Sequence, residues 1–230
     1  MPNNGFKNIN HLKPGDVILC YGGLNLTARA INAVTGSKYS HAAIYYGESF
    51  AAESTVKNGI LKGKVKKIKV CELVSRYDHV AILRQPDAWA SEDRTKALQL
   101  FINQVVANEA KYNFNGVLSF KNRKELHQSN IYEKLESFFA GQSTQIQTQK
   151  ASYFCSEFVC DCFIATGFIL PSAGVIFQSD TYSPGDLAKE PTFGTFWGYL
   201  TTKDDYIVPL DDYYYRASTY DQIFGVDIFT

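Results

Sequence analysis

The chain has 230 residues, of which 45% are hydrophobic, and its 23 Lys and Arg side chains balance 23 Asp and Glu, so its formal net charge is zero. This composition supports a sizeable core and excludes a wholly disordered chain. The balanced charge gives no electrostatic reason to expect nucleic acid or an anionic membrane surface as a partner.

The five cysteines are irregularly spaced, and none forms a CxxC pair. This pattern is not typical of a disulfide framework or a zinc site, so we expect no metal ion and no cofactor. The first residues are polar and lack the apolar core of a secretion signal. No run approaches the roughly 18 apolar residues of a membrane span. We therefore expect synthesis in the cytoplasm without a signal peptide and no transmembrane segment.

The first elements alternate between strands and one helix. Leu-Lys-Pro-Gly-Asp at residues 12–16 predicts a turn that leads into a strand over residues 17–20. Helical spacing of apolar residues predicts a helix over 24–34. Residues 39–47 and 50–56 are rich in β-branched and aromatic side chains, and the short loop between them predicts a β-hairpin.

The middle of the chain predicts two further strands and a long helix. A strand over residues 65–70 alternates basic and apolar side chains, which indicates one solvent-exposed basic face, and residues 79–84 form another strand. Residues 91–110 carry the apolar stripe of an amphipathic helix, with Ser91 as its N-cap. Residues 112–116 are expected to form a turn.

The second half is more polar before the last elements. Residues 122–150 read as an insertion that contains a short amphipathic helix over 131–140 and a low-complexity loop at 141–150. Late strands are predicted over 193–200 and 206–210. A Tyr-rich tail at 211–230 either packs on the body or docks a partner. We expect a single domain over residues 1–230.

Residues 152–166 predict a buried helix that begins near a cysteine. Ser152 is a plausible N-cap, and Cys155 falls in the first turn. The positive end of the helix dipole favours a thiolate there, which is the nucleophilic form of cysteine. The alternative interpretation is that Cys155 is a small apolar core residue. Cys160 and Cys162 are interpreted as structural, and Ser156 as a weaker alternative nucleophile.

A nucleophilic cysteine needs a base, and His41 is the favoured one of four histidines because it opens a strand of apolar residues. A hairpin loop centred near Glu48 puts residue 43 opposite residue 53. Glu53 would then lie diagonally beside His41 on the same face. A slip of one residue in the pairing would move Glu53 to the other face of the hairpin. The alternative interpretation is that His41 is a structural histidine and Glu53 a solvent-exposed strand carboxylate.

Five short motifs occur together in order. They are Leu-Lys-Pro-Gly-Asp at 12–16, Ser-His-Ala-Ala-Ile-Tyr-Tyr-Gly at 40–47, Ala-Glu-Ser at 52–54, Tyr-Phe-Cys-Ser-Glu-Phe-Val at 153–159 and Ser-Pro-Gly-Asp-Leu at 183–187. This series resembles the circularly permuted papain-like hydrolases, the YiiX-like and LRAT-like branch of the NlpC-type superfamily. In that branch the histidine strand precedes the cysteine helix.

The resemblance implies an α+β fold in which an antiparallel sheet packs against the cysteine helix. It also implies Cys155 as nucleophile, His41 as general base and Glu53 as the orienting residue, with the Cys155 backbone N–H in the oxyanion hole. The sequence does not identify a side-chain oxyanion donor, and Tyr21 and Tyr45 are the two candidates considered. The segment 122–150 and the tail have no counterpart in the family, so we expect substrate choice to reside there.

The leading functional hypothesis is a bacterial peptidoglycan amidase or peptidase that works through an acyl-enzyme. A lipid acyl hydrolase or acyltransferase on the same triad is the alternative, so the substrate is either a peptidoglycan peptide or an acylated lipid. A non-catalytic binding module is a rival of another class. An antibacterial effector delivered to the periplasm is a third hypothesis, for which an immunity or delivery protein would be the partner.

Overall fold

The computed structural model describes residues 6–23, 31–33, 35–57, 60–85, 91–142, 148–170 and 173–217. Most of the helix predicted over 24–34 lies outside these residues, although residues 31–33 are helical. Parts of the predicted low-complexity loop and of the Tyr-rich tail, residues 143–147 and 218–230, also lie outside them.

Eight strands form one sheet in the order β7-β6-β4-β3-β2-β1-β5-β8. Every pairing is antiparallel except the short parallel pair of β6 and β7. The α+β class expected from the sequence is therefore confirmed. The strands are β1 (Val17–Tyr21), β2 (Tyr39–Gly47), β3 (Phe50–Lys57), β4 (Ile60–Lys69), β5 (His79–Arg84), β6 (Lys111–Tyr112), β7 (Ser152–Tyr153) and β8 (Thr195–Leu200).

The helices lie between and after these strands. They are α1 (Val70–Val74), α2 (Glu92–Ala107), α3 (Phe114–Leu118), α4 (Phe120–Ser129), α5 (Ile131–Phe139), α6 (Cys155–Ala165) and α7 (Pro184–Lys189). Short 3-10 turns occur at Ile9–His11, Ala173–Val175, Ser179–Thr181 and Pro191–Phe193. No helix in the part of the chain described by the model is long and apolar enough to cross a membrane.

Several predicted boundaries need correction. Ser152 belongs to β7 and does not cap the cysteine helix; Phe154 is the N-cap residue, and its N–H donates to the Glu157 carboxylate at 3.2 Å. Residues 112–116 contain the end of β6 and the start of α3, not only a turn. Residues 206–210 form no strand. The Ser91 cap of α2 is confirmed, since its hydroxyl accepts the Arg94 N–H at 3.3 Å.

The sheet is covered on both faces, which explains why all five residues of β1 are buried. On one face, Val17, Leu19 and Ile44 pack against α6 and α2. On the other face, Ile18 and Ala43 pack against α1. Helix α6 is itself surrounded, because every residue from Cys155 to Phe163 is buried. A sulfur at its first residue is therefore held inside the fold.

Asp16, the last residue of the first Pro-Gly-Asp motif, anchors the start of β1. Its carboxylate accepts two hydrogen bonds from the Arg84 guanidinium, at 2.9 and 2.6 Å, and one from the Lys13 N–H at 2.8 Å. Arg84 also lies 3.9 Å from the centroid of the Trp197 ring. The motif therefore has a structural role: a buried, bidentate pair joins the start of β1 to the end of β5.

Asp212 holds the described part of the Tyr-rich tail against the sheet. Its carboxylate accepts hydrogen bonds from the Tyr39 hydroxyl at 2.9 Å, from His79 Nε2 at 3.0 Å and from the Tyr199 hydroxyl. It also accepts the Tyr214 N–H at 2.9 Å. Burial raises the pKa of this carboxyl, but the hydrogen bonds from His79 and Tyr199 outweigh that effect and lower its pKa overall. The tail thus packs on the body at this point.

We predict that Asp212→Ala lowers the free energy of unfolding by about 3 kcal/mol, because it leaves several buried donors without an acceptor. Urea denaturation at neutral pH measures this loss. The matched control is Asp211→Ala, an adjacent exposed carboxylate that should have little effect. Since the folded pKa of Asp212 is lowered, its contribution should persist above pH 4 and disappear as the pH falls further. Equal losses for the two variants would contradict this role.

Candidate active site

The site is built where β2 and β3 separate. Their pairing runs from Gly47 with Phe50 to Ile44 with Ala52. In the described residues it goes no further, although the same register would bring Ala43 opposite Glu53 and then Ala42 opposite Ser54. The start of the cysteine helix occupies this gap instead. The Ser54 hydroxyl donates to the Tyr153 carbonyl at 2.7 Å, which fixes the chain just before Cys155.

Cys155 is the first residue of α6, and its side chain lies in the gap between the strands. The sulfur accepts hydrogen bonds from the backbone N–H groups of Ala42 and Ser156 and is hydrogen-bonded to the His41 ring. Only 2% of Cys155 is exposed. The buried environment therefore supplies three partners that favour the thiolate over the thiol.

The His41 ring bridges Cys155 and Glu53. Its Nε2 lies 2.8 Å from Glu53 Oε2, so Nδ1 is the nitrogen that remains for the sulfur. His41 is 6% exposed and Glu53 is fully buried. The observed hairpin register brings Glu53 diagonally next to His41, on the face predicted from the sequence. The model thus brings the three predicted site residues together.

Two cations accompany the buried Glu53 carboxylate. Arg76 Nη1 lies 3.1 Å from Glu53 Oε1 and Lys66 Nζ lies 3.5 Å from the same oxygen. Lys66 is directly opposite Glu53 in the pairing of β3 with β4. The lysine-rich strand predicted to have a solvent-exposed basic face therefore turns one lysine towards the site. Arg76 in turn pairs with the exposed Glu72.

These contacts shift each pKa in the direction that favours the charged form of the group. Burial alone would lower the pKa of His41, but its hydrogen bonds and charge interactions with Cys155 and Glu53 raise it to about 10. Burial alone would raise the pKa of Cys155, yet the His41 and backbone hydrogen bonds lower it. The pKa of Glu53 is lowered against its burial by His41, Arg76 and Lys66. All three shifts favour a thiolate–imidazolium pair beside an ionised carboxylate.

Two tyrosines near the site were missed by the sequence analysis. The Tyr77 ring is parallel to the His41 ring, with centroids 5.9 Å apart. Burial raises the pKa of both Tyr77 and Tyr112, and the charge of Cys155 contributes to each shift. Both hydroxyls therefore stay protonated near the thiolate. Only contacts between distant segments reveal these residues, so no local motif could have identified them.

The other candidates from the sequence lie elsewhere. The Tyr21 hydroxyl donates to Asp211 at 3.3 Å, and the Tyr45 hydroxyl accepts the Ser49 N–H at 3.1 Å, so both guessed oxyanion donors are engaged away from Cys155. His79 is bound to Asp212, and His127 Nε2 pairs with the Ile176 carbonyl at 3.0 Å.

The remaining nucleophile candidates are also in structural positions. Cys160 and Cys162 belong to the main core cluster, and burial raises the pKa of each. The Ser156 hydroxyl donates to the Tyr182 carbonyl at 2.7 Å. Among the residues that the model describes, no group of three or more His, Cys, Asp or Glu is arranged to hold a metal ion.

Comparison with known proteins agrees with this architecture. A family model described as "Permuted papain-like amidase enzyme, YaeF/YiiX, C92 family" matches residues 11–124, a range that includes His41 and Glu53. These residues make up just under half of the chain, and over them it is similar to this permuted papain-like family. It is also 28% identical over 186 residues to the "Probable lipoprotein peptidase YaeF" of Escherichia coli (strain K12), a match that covers 76% of this chain. The chain spans about 62% of that relative's length.

We predict that Glu53→Gln raises the pH at which Cys155 becomes reactive. The substitution removes the negative charge that favours the imidazolium, so the His41 pKa falls and the Cys155 pKa rises. The pH dependence of Cys155 alkylation by iodoacetamide, located by peptide mass spectrometry, measures the shift.

Glu72→Gln is the matched control for this measurement. It removes an equally shaped carboxylate that is exposed and pairs with Arg76 but not with His41. Its alkylation profile should follow that of the wild type. A Glu53→Gln profile that also overlays the wild type would show that Glu53 does not support the charge pair.

Proposed function

We propose that this protein is a cysteine hydrolase that cleaves an amide bond through an acyl-enzyme. Cys155 is the nucleophile, His41 the general base and acid, and Glu53 the orienting carboxylate. The observation that carries the proposal is the position of the His41 ring, hydrogen-bonded to the Cys155 sulfur on one side and 2.8 Å from Glu53 on the other. The amidase family and the probable peptidase among its relatives support the reaction class.

In the first half-reaction, the Cys155 thiolate attacks the carbonyl carbon and forms a C–S bond. The His41 imidazolium then gives its proton to the leaving nitrogen as the C–N bond breaks, so the amine departs neutral and a thioester remains. Because the favoured resting state is already a thiolate–imidazolium pair, no separate deprotonation of the thiol is needed.

In the second half-reaction, neutral His41 removes a proton from water, whose oxygen attacks the thioester carbonyl. The C–S bond breaks, the carboxylic acid product leaves and the thiolate–imidazolium pair is restored. Glu53 keeps Nε2 occupied throughout, so the same Nδ1 exchanges protons in both steps. Lys66 and Arg76 keep Glu53 ionised during this cycle.

The oxyanion of each tetrahedral intermediate needs donors near the sulfur. The Cys155 N–H lies in the first turn of α6, where backbone donors have no partner within the helix. Charge developing there is also favoured by the helix dipole. We assign this N–H to the oxyanion hole, as such donors contribute by being fixed before the reaction.

We propose a peptide amide of bacterial peptidoglycan as the substrate, which would put the site of action in the cell envelope. Purified wild-type protein should release peptide fragments from peptidoglycan, and Cys155→Ala should reduce release by at least about 1,000-fold, because it removes the nucleophile. Mass spectrometry of soluble muropeptides measures the release.

Cys71→Ala is the control variant, since Cys71 is an exposed free thiol outside the site, and it should release fragments at the wild-type rate. Phospholipids assayed in parallel test an ester as the scissile bond. If the wild type and Cys155→Ala behave alike on both substrates, the hydrolase proposal is wrong. Absence of selective Cys155 alkylation near neutral pH would then support a binding module.

A further inference from the structure

A buried charged cluster outside the proposed triad lies along the first two turns of α6. It consists of the Lys150 ammonium and the Glu157 and Asp161 carboxylates. Lys150 Nζ lies 2.8 Å from Glu157 Oε1 and 2.8 Å from Asp161 Oδ2. The same ammonium donates to the Ser179 hydroxyl at 2.8 Å. Because both carboxylates are almost completely buried, they share one mostly buried cation.

The two carboxylates of this cluster differ in what else they hold. Glu157 Oε2 accepts the Phe154 N–H at 3.2 Å, which satisfies one of the backbone donors at the N-terminus of α6. Asp161 lies one turn further along the helix, and its ion pair with Lys150 does not involve the helix start. Burial raises the pKa of Asp161 to about 7 despite the nearby ammonium, so this carboxyl is only partly ionised at neutral pH.

Lys150 also holds the strand that precedes the helix. Its backbone N–H donates to the Tyr153 hydroxyl at 2.8 Å, and that hydroxyl donates to the Thr148 carbonyl at 2.6 Å. The Tyr153 carbonyl accepts the Ser54 hydroxyl at 2.7 Å. The two residues directly before the proposed nucleophile are therefore fixed by contacts on both sides of the peptide that joins them.

The position of the sulfur depends on where this helix begins. Cys155 is the first residue of α6, whereas the Ala42 N–H and the His41 ring, which are hydrogen-bonded to its sulfur, belong to β2. A displacement of the helix start relative to β2 would lengthen both hydrogen bonds at once. Because hydrogen bonds weaken steeply as their geometry deteriorates, the thiolate would lose two of its partners together.

We infer that Lys150 is a positioning residue for the proposed reaction. Its ammonium holds the Glu157 carboxylate, and Glu157 holds the Phe154 N–H. The fixed helix start then keeps the Cys155 sulfur in place against β2. The inference rests on the proposed function, since it concerns the geometry of that reaction's nucleophile. It also gives the last residue of the polar segment predicted at 122–150 a role in supporting the site.

Alkylation of Cys155 by iodoacetamide tests this role without requiring hydrolysis. In this reaction the thiolate displaces iodide and forms a thioether. Lys150→Met keeps an unbranched side chain of similar length but removes the charge that binds Glu157. We expect the rate of alkylation at pH 7 to fall about tenfold, because a smaller fraction of Cys155 is thiolate. Lys150→Arg retains a cation that can bind Glu157 and should restore most of the rate.

Lys124→Met is the matched control, because Lys124 makes the same kind of contact at the start of another helix. Lys124 Nζ lies 2.6 Å from Asp186 Oδ1, and the other oxygen of that carboxylate accepts the Ser183 N–H at the start of α7. This variant loses a comparable ion pair, so its free energy of unfolding should fall to a similar extent. Its alkylation profile should follow that of the wild type, because α7 carries no member of the proposed triad.

Two further variants separate the helix start from the loss of an ion pair as such. Glu157→Ala removes the link between Lys150 and the Phe154 N–H, so it should slow alkylation as Lys150→Met does. Asp161→Asn removes the other ion pair of the same ammonium and leaves that link intact, so it should alkylate near the wild-type rate. Urea denaturation checks that each variant is folded, and Glu157→Ala decides if Lys150→Met is not.

Hydrolysis gives a second readout on an amide substrate that the wild type cleaves. Lys150→Met should lower kcat by up to about 100-fold with little change in KM, because a misplaced nucleophile slows the reaction while substrate binding is retained. If folded Lys150→Met alkylates like the wild type, or if Asp161→Asn is slowed as much as Glu157→Ala, the positioning inference is wrong while the nucleophile stands. If iodoacetamide fails to label wild-type Cys155 selectively, the proposed function is wrong and the inference fails with it.

Discussion

The separation of β2 from β3 is the structural constraint on which the site depends. If the strands continued to pair past Ile44 and Ala52, the Ala42 N–H would be used within the sheet. No room would then be left for the N-terminal end of α6. Because the strands part, that N–H is directed to the Cys155 sulfur, while Ser54 binds the Tyr153 carbonyl. A backbone donor normally used in a ladder thus becomes part of the environment of a thiolate. The same gap puts the sulfur beside His41, which lies on the strand that frames it.

Charge balance is the second requirement, because the Cys155 side chain and the Glu53 carboxylate are both buried at this point. An isolated buried anion would be neutralised by protonation. His41 lies between the two anions, and Arg76 and Lys66 approach the far oxygen of Glu53. Burial opposes ionisation of both Cys155 and Glu53, and the hydrogen bonds and cations reverse it. The charged state is therefore a property of the whole cluster and not of the helix dipole alone.

The hairpin and the cysteine helix were predictable because they depend on local patterns. Strand alternation and a short loop determine the register that brings Glu53 to His41, and the register of the model agrees. Helical spacing locates α6, although the cap at Phe154 was missed because Glu157 supplies the bond that Ser152 was expected to make. The second layer was not predictable. The sequence predicted only that Lys66 belongs to a basic strand face and that Tyr112 belongs to a turn. Their positions near the site arise from contacts with distant segments, which local patterns do not reveal.

The packing around the start of α6 depends on long-range contacts in the same way. Phe154 belongs to a separate hydrophobic cluster with Ile31, Tyr112, Val117 and Phe120, so segments far apart in the sequence meet there. The Ser-Pro-Gly-Asp motif at the start of α7 lies beside this cluster. Gly185 of that motif permits a close approach, since a Cβ there would lie 2.5 Å from the Ser37 side chain. Ser183 and Asp186 cap each other, which fixes the motif in this position. The motif therefore has a packing role near Cys155, and that role arises from contacts that no local sequence pattern could predict.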